Sequence, residues 1–199
     1  MLVAVTAFIA VFTNTGWSQS IEPDGLHNPS AKVTVSNPDG IFYAQTIFVA
    51  GTSNPVKINY IDKMFTRWFL AGDGKVERSG GRSILYRRDL TSSVMLSDIV
   101  AKVGGKARAE VSLHDIFTLM NEQGSGNPGV LRTDGGLNAF FVRDQQGKLR
   151  NVNVSWTSYG QLGNQEGWNV SAGPVYYPDP PFPFGYGLYQ LTAGWVFSH

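Results

Sequence analysis

The stretch LNAFFVRDQQGKLRNVNVSW, residues 137–156, decides the fold class of this chain. Two runs, 137–143 and 149–156, are rich in β-branched and aromatic side chains, a composition typical of strands. The segment DQQG at 144–147 separates them and has the residue types of a tight turn. This stretch therefore predicts a β-hairpin.

The chain after the hairpin is also predicted to be β. Residues 167–171 form the next strand, and the apolar stretch 191–197 is expected to dock as a closing edge strand. Between them, residues 173–187 read GPVYYPDPPFPFGYG. Proline cannot donate to a strand ladder, so this Pro/aromatic loop is not expected to join a central strand.

The tripeptide Asn-Val-Ser occurs twice, beginning at Asn153 and at Asn169. Both copies are N-glycosylation sequons, which matter only in a eukaryotic secretory pathway. Asn153 lies inside a predicted strand, which makes it a poor acceptor. We interpret both copies as chance, and we find no internal repeat.

Two short helices are predicted before the hairpin, at about 93–103 and 113–123. In the first, Ser92 or Ser93 can cap the start and Gly104-Gly105 ends the helix. In the second, Ser112 and Asp115 resemble a capping box, and Gly124 follows the end. One face of each helix is apolar; these faces contain Leu96, Ile99, Val100 and Val103, and Leu113, Ile116, Phe117 and Met120.

The N-terminal half is predicted to be a series of short strands at 32–36, 41–50, 56–61 and 83–87, with turns at 37–40 and 79–81. A further short strand is expected at 106–111. Residues 64–71 carry apolar side chains at helical spacing, but their composition is strand-like, and we favour a strand pair. The fold class is therefore α+β, a mainly antiparallel β-sheet with two short helices, in one domain over 32–199.

The first twenty residues resemble a signal peptide. Residues 2–12 form an apolar run too short to span a bilayer, and Ser18 and Ser20 fit the small side chains of a cleavage site. No basic residue precedes the run, so a buried strand or helix of the domain is the alternative. With a signal, the protein is secreted or periplasmic and has no stable membrane span after cleavage, and residues 21–31 form a flexible lead-in.

The composition narrows the classes of partner. The formal net charge is +1 and only 16% of residues are charged, so no long-range attraction to nucleic acid is expected. There is no cysteine, which excludes thiolate metal sites and cysteine nucleophiles. No metal site and no cofactor is predicted, and the oligomeric state is left open.

Three residues are candidates for catalysis, namely Asp134, Glu122 and His114. His114 is expected to face solvent in the first turn of a helix, and Asp134 lies in an Asp-Gly-Gly segment that is also an ordinary turn. Nothing in the spacing of the carboxylates selects an acid pair. The sequence therefore leaves open whether the protein is an enzyme, and favours a protein that is not.

The aromatic side chains of the Pro/aromatic loop are the predicted binding surface, because such rings suit sugar stacking or a protein interface. They are Tyr176, Tyr177, Phe182, Phe184 and Tyr186. The first hypothesis is an exported, non-catalytic domain that binds a protein or glycan partner of the cell envelope. The alternatives are an exported hydrolase acting on an envelope polymer, and a structural subunit of a virion or surface layer with a retained apolar N-terminus.

Overall fold

A computed structural model describes residues 25–51, 56–158, 166–176, 190–191 and 194–199. The strands are β1 (Ala31–Tyr43), β2 (Ile58–Ile61), β3 (Val76–Leu90), β4 (Val94–Met95), β5 (Asn138–Arg143), β6 (Leu149–Thr157), β7 (Gly167–Pro174), β8 (Gln190–Leu191) and β9 (Gly194–Ser198). The helices are α1 (Ala44–Ile47), α2 (Lys63–Phe65), which continues as a π-helical segment (Thr66–Leu70), α3 (Leu96–Lys102), α4 (Lys106–Ala109) and α5 (Leu113–Glu122).

Seven of the strands form one mixed sheet in the order β1-β3-β9-β5-β6-β7-β2. The β2–β7 and β5–β9 pairs are parallel, and the other neighbours are antiparallel. The β-rich α+β class is confirmed, but the sheet is mixed rather than purely antiparallel. Parallel pairs arise because β9 and β2 join the sheet through long connections instead of hairpins.

Strand β9 lies in the middle of the sheet, between β3 and β5. The prediction of a closing edge strand at 191–197 was therefore wrong. Val196 and Phe197 are both fully buried, one in each core cluster. Side chains that point to opposite faces and are both buried are typical of a central strand.

The hairpin predicted at 137–156 is confirmed as β5 and β6, which pair from Asn138 opposite Val154 to Arg143 opposite Leu149. In the turn, the amide of Gly147 donates to the carbonyl of Asp144 at 3.0 Å. Strand β7 continues the antiparallel ladder along β6.

Helices α3 and α5 lie within the two predicted helices. Ser112 and Asp115 form the capping box of α5, with the Ser112 Oγ accepting from the Asp115 amide at 2.9 Å. Three predicted strand segments are helical. Residues 44–47, within the strand predicted at 41–50, are the helix α1. Residues 106–109 are the helix α4 instead of part of a strand, and residues 63–70 are α2 with its π-helical continuation instead of a strand pair.

The helical outcome at 63–70 has a local cause. Asp62 caps α2, because its side-chain oxygen accepts a hydrogen bond from the Phe65 amide at 2.6 Å. The same carboxylate accepts from the amide of Ala172 in β7 at 3.2 Å. Phe65 and Phe69 are fully buried, so the helical spacing of the apolar residues directs them into one core.

Strands β1 and β3 form a long antiparallel ribbon. The turns predicted at 37–40 and 79–81 are absent, since both segments belong to these strands. The register shifts between Asn37 and Gly40, which forms a bulge at Pro38 and Asp39. Residues 26–30, in the predicted lead-in, run along β3, and Leu26 is buried.

Two apolar clusters cover the two faces of the sheet. The larger cluster contains α5, α2 and the inward residues of β1, β6 and β7. The smaller cluster contains α3 and α4 and lies against β5 and β9. Within the described ranges, no helix combines the length and apolar character needed to cross a membrane.

Candidate functional site

A polar cleft of about 470 Å³ opens between β3 and the N-terminus of α5. Of the three catalytic candidates, only His114 is among its lining residues, and neither Asp134 nor Glu122 lines it. Glu122 is the last residue of α5.

His114 is buried rather than solvent-facing, with 9% of its surface exposed. Its ring stacks on Phe42, with centroids 4.7 Å apart and planes inclined by 20°. The Nδ1 atom is buried and has no hydrogen-bond partner in the described part of the chain. Burial lowers the pKa of His114, and the nearby carboxylates of Asp115 and Glu77 oppose that shift.

The carboxylates of the cleft already have partners. Glu77 accepts hydrogen bonds from the amides of Leu113 and His114, at 3.1 and 3.0 Å, and lies 3.5 Å from the Lys75 Nζ. A carboxylate at this position stabilises the first turn of α5, because the helix dipole is positive there.

The Asp115 carboxylate also stabilises the N-terminus of α5, as part of the capping box. It accepts hydrogen bonds from the amide and hydroxyl of Ser112 and, at 2.7 Å, from the Asn37 Nδ2. The Asn37 Oδ1 in turn accepts from the Thr118 hydroxyl at 2.7 Å. The bulge of β1 is thereby tied to α5, and neither Glu77 nor Asp115 is left as an unpaired base.

One residue of the predicted aromatic surface is described. Tyr176 is 36% exposed, and the Lys106 Nζ lies 4.7 Å from its ring centroid. Partial burial raises the pKa of Tyr176, and the charge of Arg143, which lines the cleft, opposes the shift. Tyr177, Phe182, Phe184 and Tyr186 lie outside the described residues.

Asp134 forms a surface turn. Its carboxylate binds Arg132 through two hydrogen bonds, at 3.0 and 2.7 Å, and accepts the Gly136 amide at 3.0 Å. The bond to Arg132, followed by the Gly136 amide, lowers the pKa of Asp134 to about 2. A carboxylate held in this way is a poor proton acceptor at neutral pH.

A second polar surface lies on the outward face of β2, β7 and β6, and we call it the amide face. It is built in cross-strand rows: Asn153 lies opposite Ser171, and Ser155 lies opposite Asn169. Tyr60 of β2 lies beside Asn169 in the same face and is 54% exposed. These neighbouring side chains carry amide or hydroxyl groups and no charge.

Hydrogen bonding on the amide face is incomplete. Asn169 accepts from the Asn59 Nδ2 at 3.2 Å and donates to the Thr157 hydroxyl. By contrast, the side-chain oxygens of Asn151 and Asn153 are buried and have no hydrogen-bond partner among the described residues. Asn151 is only 3% exposed. Buried amide oxygens without partners are rare in folded proteins, so each calls for an explanation.

The amide face was not identified as a candidate site from the sequence. The available signal was the repeated Asn-Val-Ser tripeptide, which was interpreted as chance. Asparagine is depleted in strands, so its recurrence at alternate positions of β6, in Asn151 and Asn153, is a departure from strand composition that could have been used.

The described residues contain no group of three or more His, Asp and Glu side chains that could hold a metal ion. The fold and its polar surfaces thus define a β-rich α+β domain with an uncharged amide face and a separate charged cleft. No protein-family model, no curated protein and no solved structure matches this chain.

Proposed function

We propose that this protein is a non-catalytic binding domain that holds a neutral glycan on the amide face. The observation that carries the proposal is the pair of buried side-chain oxygens of Asn151 and Asn153, which have no hydrogen-bond partner among the described residues. Tyr60, on β2 of the same face, adds an exposed ring. A ligand hydroxyl that donates to these oxygens would satisfy them, and because both are buried, the two side chains must turn outward on binding.

The chemistry of the face matches that of a sugar. A side-chain amide both donates and accepts hydrogen bonds, as the hydroxyl groups of a glycan do. An exposed tyrosine ring offers an apolar face for the C–H side of a sugar ring and a polar hydroxyl at its edge. Since these side chains are uncharged, a neutral glycan fits better than a charged polymer.

The residue types also support binding over a simple solvent-facing surface. An outward sheet face usually carries residues that favour strands, and asparagine does not. Departures from local preference are expected where function opposes stability. Asn151, Asn153 and Asn169 are such departures on two neighbouring strands.

The Pro/aromatic loop belongs to this proposal as an extension of the binding surface, because its first two residues, Gly173 and Pro174, are the last two of β7. Replacing Tyr177, Phe182 and Phe184 with alanine is expected to change the free energy of unfolding by less than about 1 kcal/mol and to abolish glycan binding. A collapse of stability would instead assign these rings to the core.

Export to the periplasm or the exterior is also a proposal, resting on the apolar run at 2–12 and on Ser18 and Ser20. The mass of the protein isolated from its host tests it. A form lacking residues 1–20 supports export and argues against a structural subunit with a retained N-terminus. An intact N-terminus in soluble protein contradicts export.

A hydrolase is the second candidate, and His114 favours it. Its ring lines the cleft, and its buried Nδ1 has no hydrogen-bond partner among the residues that the structure describes. Burial favours the neutral imidazole that a general base requires. If this candidate is correct, the wild-type protein releases reducing ends from a polysaccharide, and His114→Ala does not. If wild-type protein binds glycan without cleaving it, binding is the function.

Affinity electrophoresis in gels containing soluble xylan, mixed-linkage glucan or glycol chitin tests the main proposal. Wild-type protein is expected to be retarded in at least one gel, and Tyr60→Ala is expected to weaken that retardation at least tenfold. Tyr43→Ala is the matched control, because Tyr43 is also a strand tyrosine and is 47% exposed on the β1–β3 ribbon. The proposal fails if no gel retards the wild type, or if both variants lose binding equally.

A further inference from the structure

Strand β3 has a long unpaired edge inside the cleft. The strand extends over Val76–Leu90, but β9 pairs only with its last part, from Tyr86 to Leu90. Beside the segment 76–84, among the residues that the structure describes, no strand lies on that side. The Ile84 carbonyl on this side is already bonded to His199, so the free part of the edge runs from 76 to 82, about 20 Å at about 3.4 Å per residue.

The backbone groups of this edge point into the cleft. The carbonyl of Arg87 accepts the Ser30 amide, on the β1 side. The carbonyl of Ile84 accepts a hydrogen bond from the His199 Nδ1 at 3.1 Å, on the opposite side. Since backbone groups alternate in direction along a strand, the even-numbered residues present their N–H and C=O groups to the cleft. In the open segment these include Arg78, Gly80 and Arg82.

The outer edge of β1 is protected, whereas this edge is not. Pro38 and the bulge beside it interrupt β1, and such features block the pairing of another strand. The open edge of β3 contains no proline, and no bulge interrupts the regular alternation of its backbone N–H and C=O groups. An unprotected edge is a template for an added strand, which is a recurrent mode of peptide recognition.

Charge indicates which peptide fits. Arg78 and Arg82 are exposed on one face of β3, and within the described ranges neither has a carboxylate partner. Between the two arginines, the Asp39 carboxylate of β1 lies over Gly80. A Cβ added at Gly80 would be 2.7 Å from the Asp39 Oδ1. The edge therefore shows a positive, negative, positive pattern at alternate positions.

We propose that the open edge of β3 binds an extended segment of a protein partner as an added strand. The segment carries acidic side chains opposite Arg78 and Arg82 and a neutral side chain opposite Gly80. Opposite charges placed across neighbouring strands attract, and like charges repel. The acidic residues on the other walls of the cleft, Glu77, Glu110 and Asp115, already have hydrogen-bonded partners. This site is separate from the amide face and does not depend on the proposed glycan.

Fluorescence anisotropy with a labelled peptide tests the proposal. The probe is Ac-Thr-Glu-Thr-Tyr-Thr-Glu-Thr-NH₂, and two controls replace both glutamates with lysine or N-methylate alternate backbone amides. The acidic probe is expected to bind at least tenfold more tightly than either control. In the double variant R78E/R82E the preference is expected to reverse towards the lysine peptide.

Reversal of the preference supports the proposal even if the affinity is modest, because a misfolded variant would lose both peptides. Equal binding of the N-methylated peptide would overturn strand addition, since its charges are intact and its hydrogen bonds are not. Failure of every peptide to bind, or dimerisation of the protein through this edge in sedimentation experiments, would also overturn it. Retardation of R78E/R82E in the glycan gels measures binding at the amide face independently. A failure of the β3 proposal can therefore be distinguished from a failure of the glycan proposal.

Discussion

Asn153 lies directly opposite Ser171, because the two copies of Asn-Val-Ser pair with each other in antiparallel register. Ser155 is opposite Asn169, and the central valines, Val154 and Val170, are opposite each other and fully buried. The pairing places two amides and two hydroxyls on the outward face above a valine pair. A tripeptide repeated along the chain thus becomes a small two-fold patch in space.

Replacing Asn151 with leucine is expected to stabilise the protein and to weaken glycan binding. The substitution removes a buried amide oxygen that has no partner among the described residues, and such a group costs about 1–3 kcal/mol. Urea unfolding should show a gain of about 1 kcal/mol. Asn138→Leu is the matched control, because the Asn138 amide is equally buried but bonds to Arg132 and Val154. That variant should lose stability, and a loss in both would contradict the assignment.

The stability of the protein is expected to decrease below pH 6.5 in a manner that depends on His114. Burial lowers the pKa of His114 from 6.5 in the folded state, so the unfolded chain takes up the proton first. The stabilisation is present above pH 6.5 and is lost as the pH falls towards the folded-state pKa. His114→Phe keeps a ring on Phe42 and cannot titrate.

This expectation is checked by measuring the free energy of unfolding between pH 7.5 and pH 4.5, in steps of about half a pH unit. The difference in unfolding free energy between wild type and His114→Phe should change with pH. The difference between wild type and His114→Gln should change with pH in the same way, because glutamine does not titrate either. His114→Gln should be less stable than His114→Phe at every pH, because the ring contact with Phe42 is lost. A difference that stays constant with pH would remove His114 from the acid response.

Gly126→Ala is expected to cost about 3 kcal/mol of stability. Gly126 has a φ of +72°, and an added Cβ would come within 2.1 Å of the Trp156 indole. Gly147→Ala is the control, since its φ is +77° and no atom lies within 4 Å of the added Cβ. The control isolates the backbone cost, about 1 kcal/mol. Equal losses in the two variants would show that the tryptophan contact contributes nothing.

Asp144→Asn is expected to destabilise the protein by about 3 kcal/mol or more. Asp144 and Arg150 form an ion pair at 2.7 Å with both side chains buried, and the guanidinium lies 4.0 Å from the centroid of Trp68. The substitution removes the buried carboxylate charge that lies 2.7 Å from the Arg150 guanidinium. The pair of Lys57 and Glu166 is half exposed, at 3.8 Å, so Glu166→Gln should cost less than about 1 kcal/mol. Thermal unfolding of both variants makes the comparison.

Local signals predicted the elements that are stabilised locally. The β5–β6 hairpin follows from a turn between two apolar runs, and α5 follows from the capping box at Ser112. The helix at 63–70 was missed because its apolar residues suit both periods. The deciding group, the Asp62 carboxylate, reaches Ala172 across the fold, and no sequence window contains that contact.

The candidate sites were harder to predict because each depends on pairing between distant strands. The sequence contained both Asn-Val-Ser copies, but only the register places Asn153 beside Ser171. His114 was expected to face solvent because it lies off the apolar face of its helix. Its stacking partner, Phe42, belongs to β1, which is distant in sequence. The position of β9 was missed for the same reason, since partners on both sides, and not its own residues, make a strand central.

The central position of β9 has a consequence for how the protein is made. Among the described strands, β9 (Gly194–Ser198) alone joins the ribbon of β1 and β3 to the ladder of β5, β6, β7 and β2 within the sheet. A growing chain begins folding from its earlier segments, but here those segments cannot join until β9 has been synthesised. Slow, non-local closure of this kind would keep a nascent chain loosely structured until late in translation.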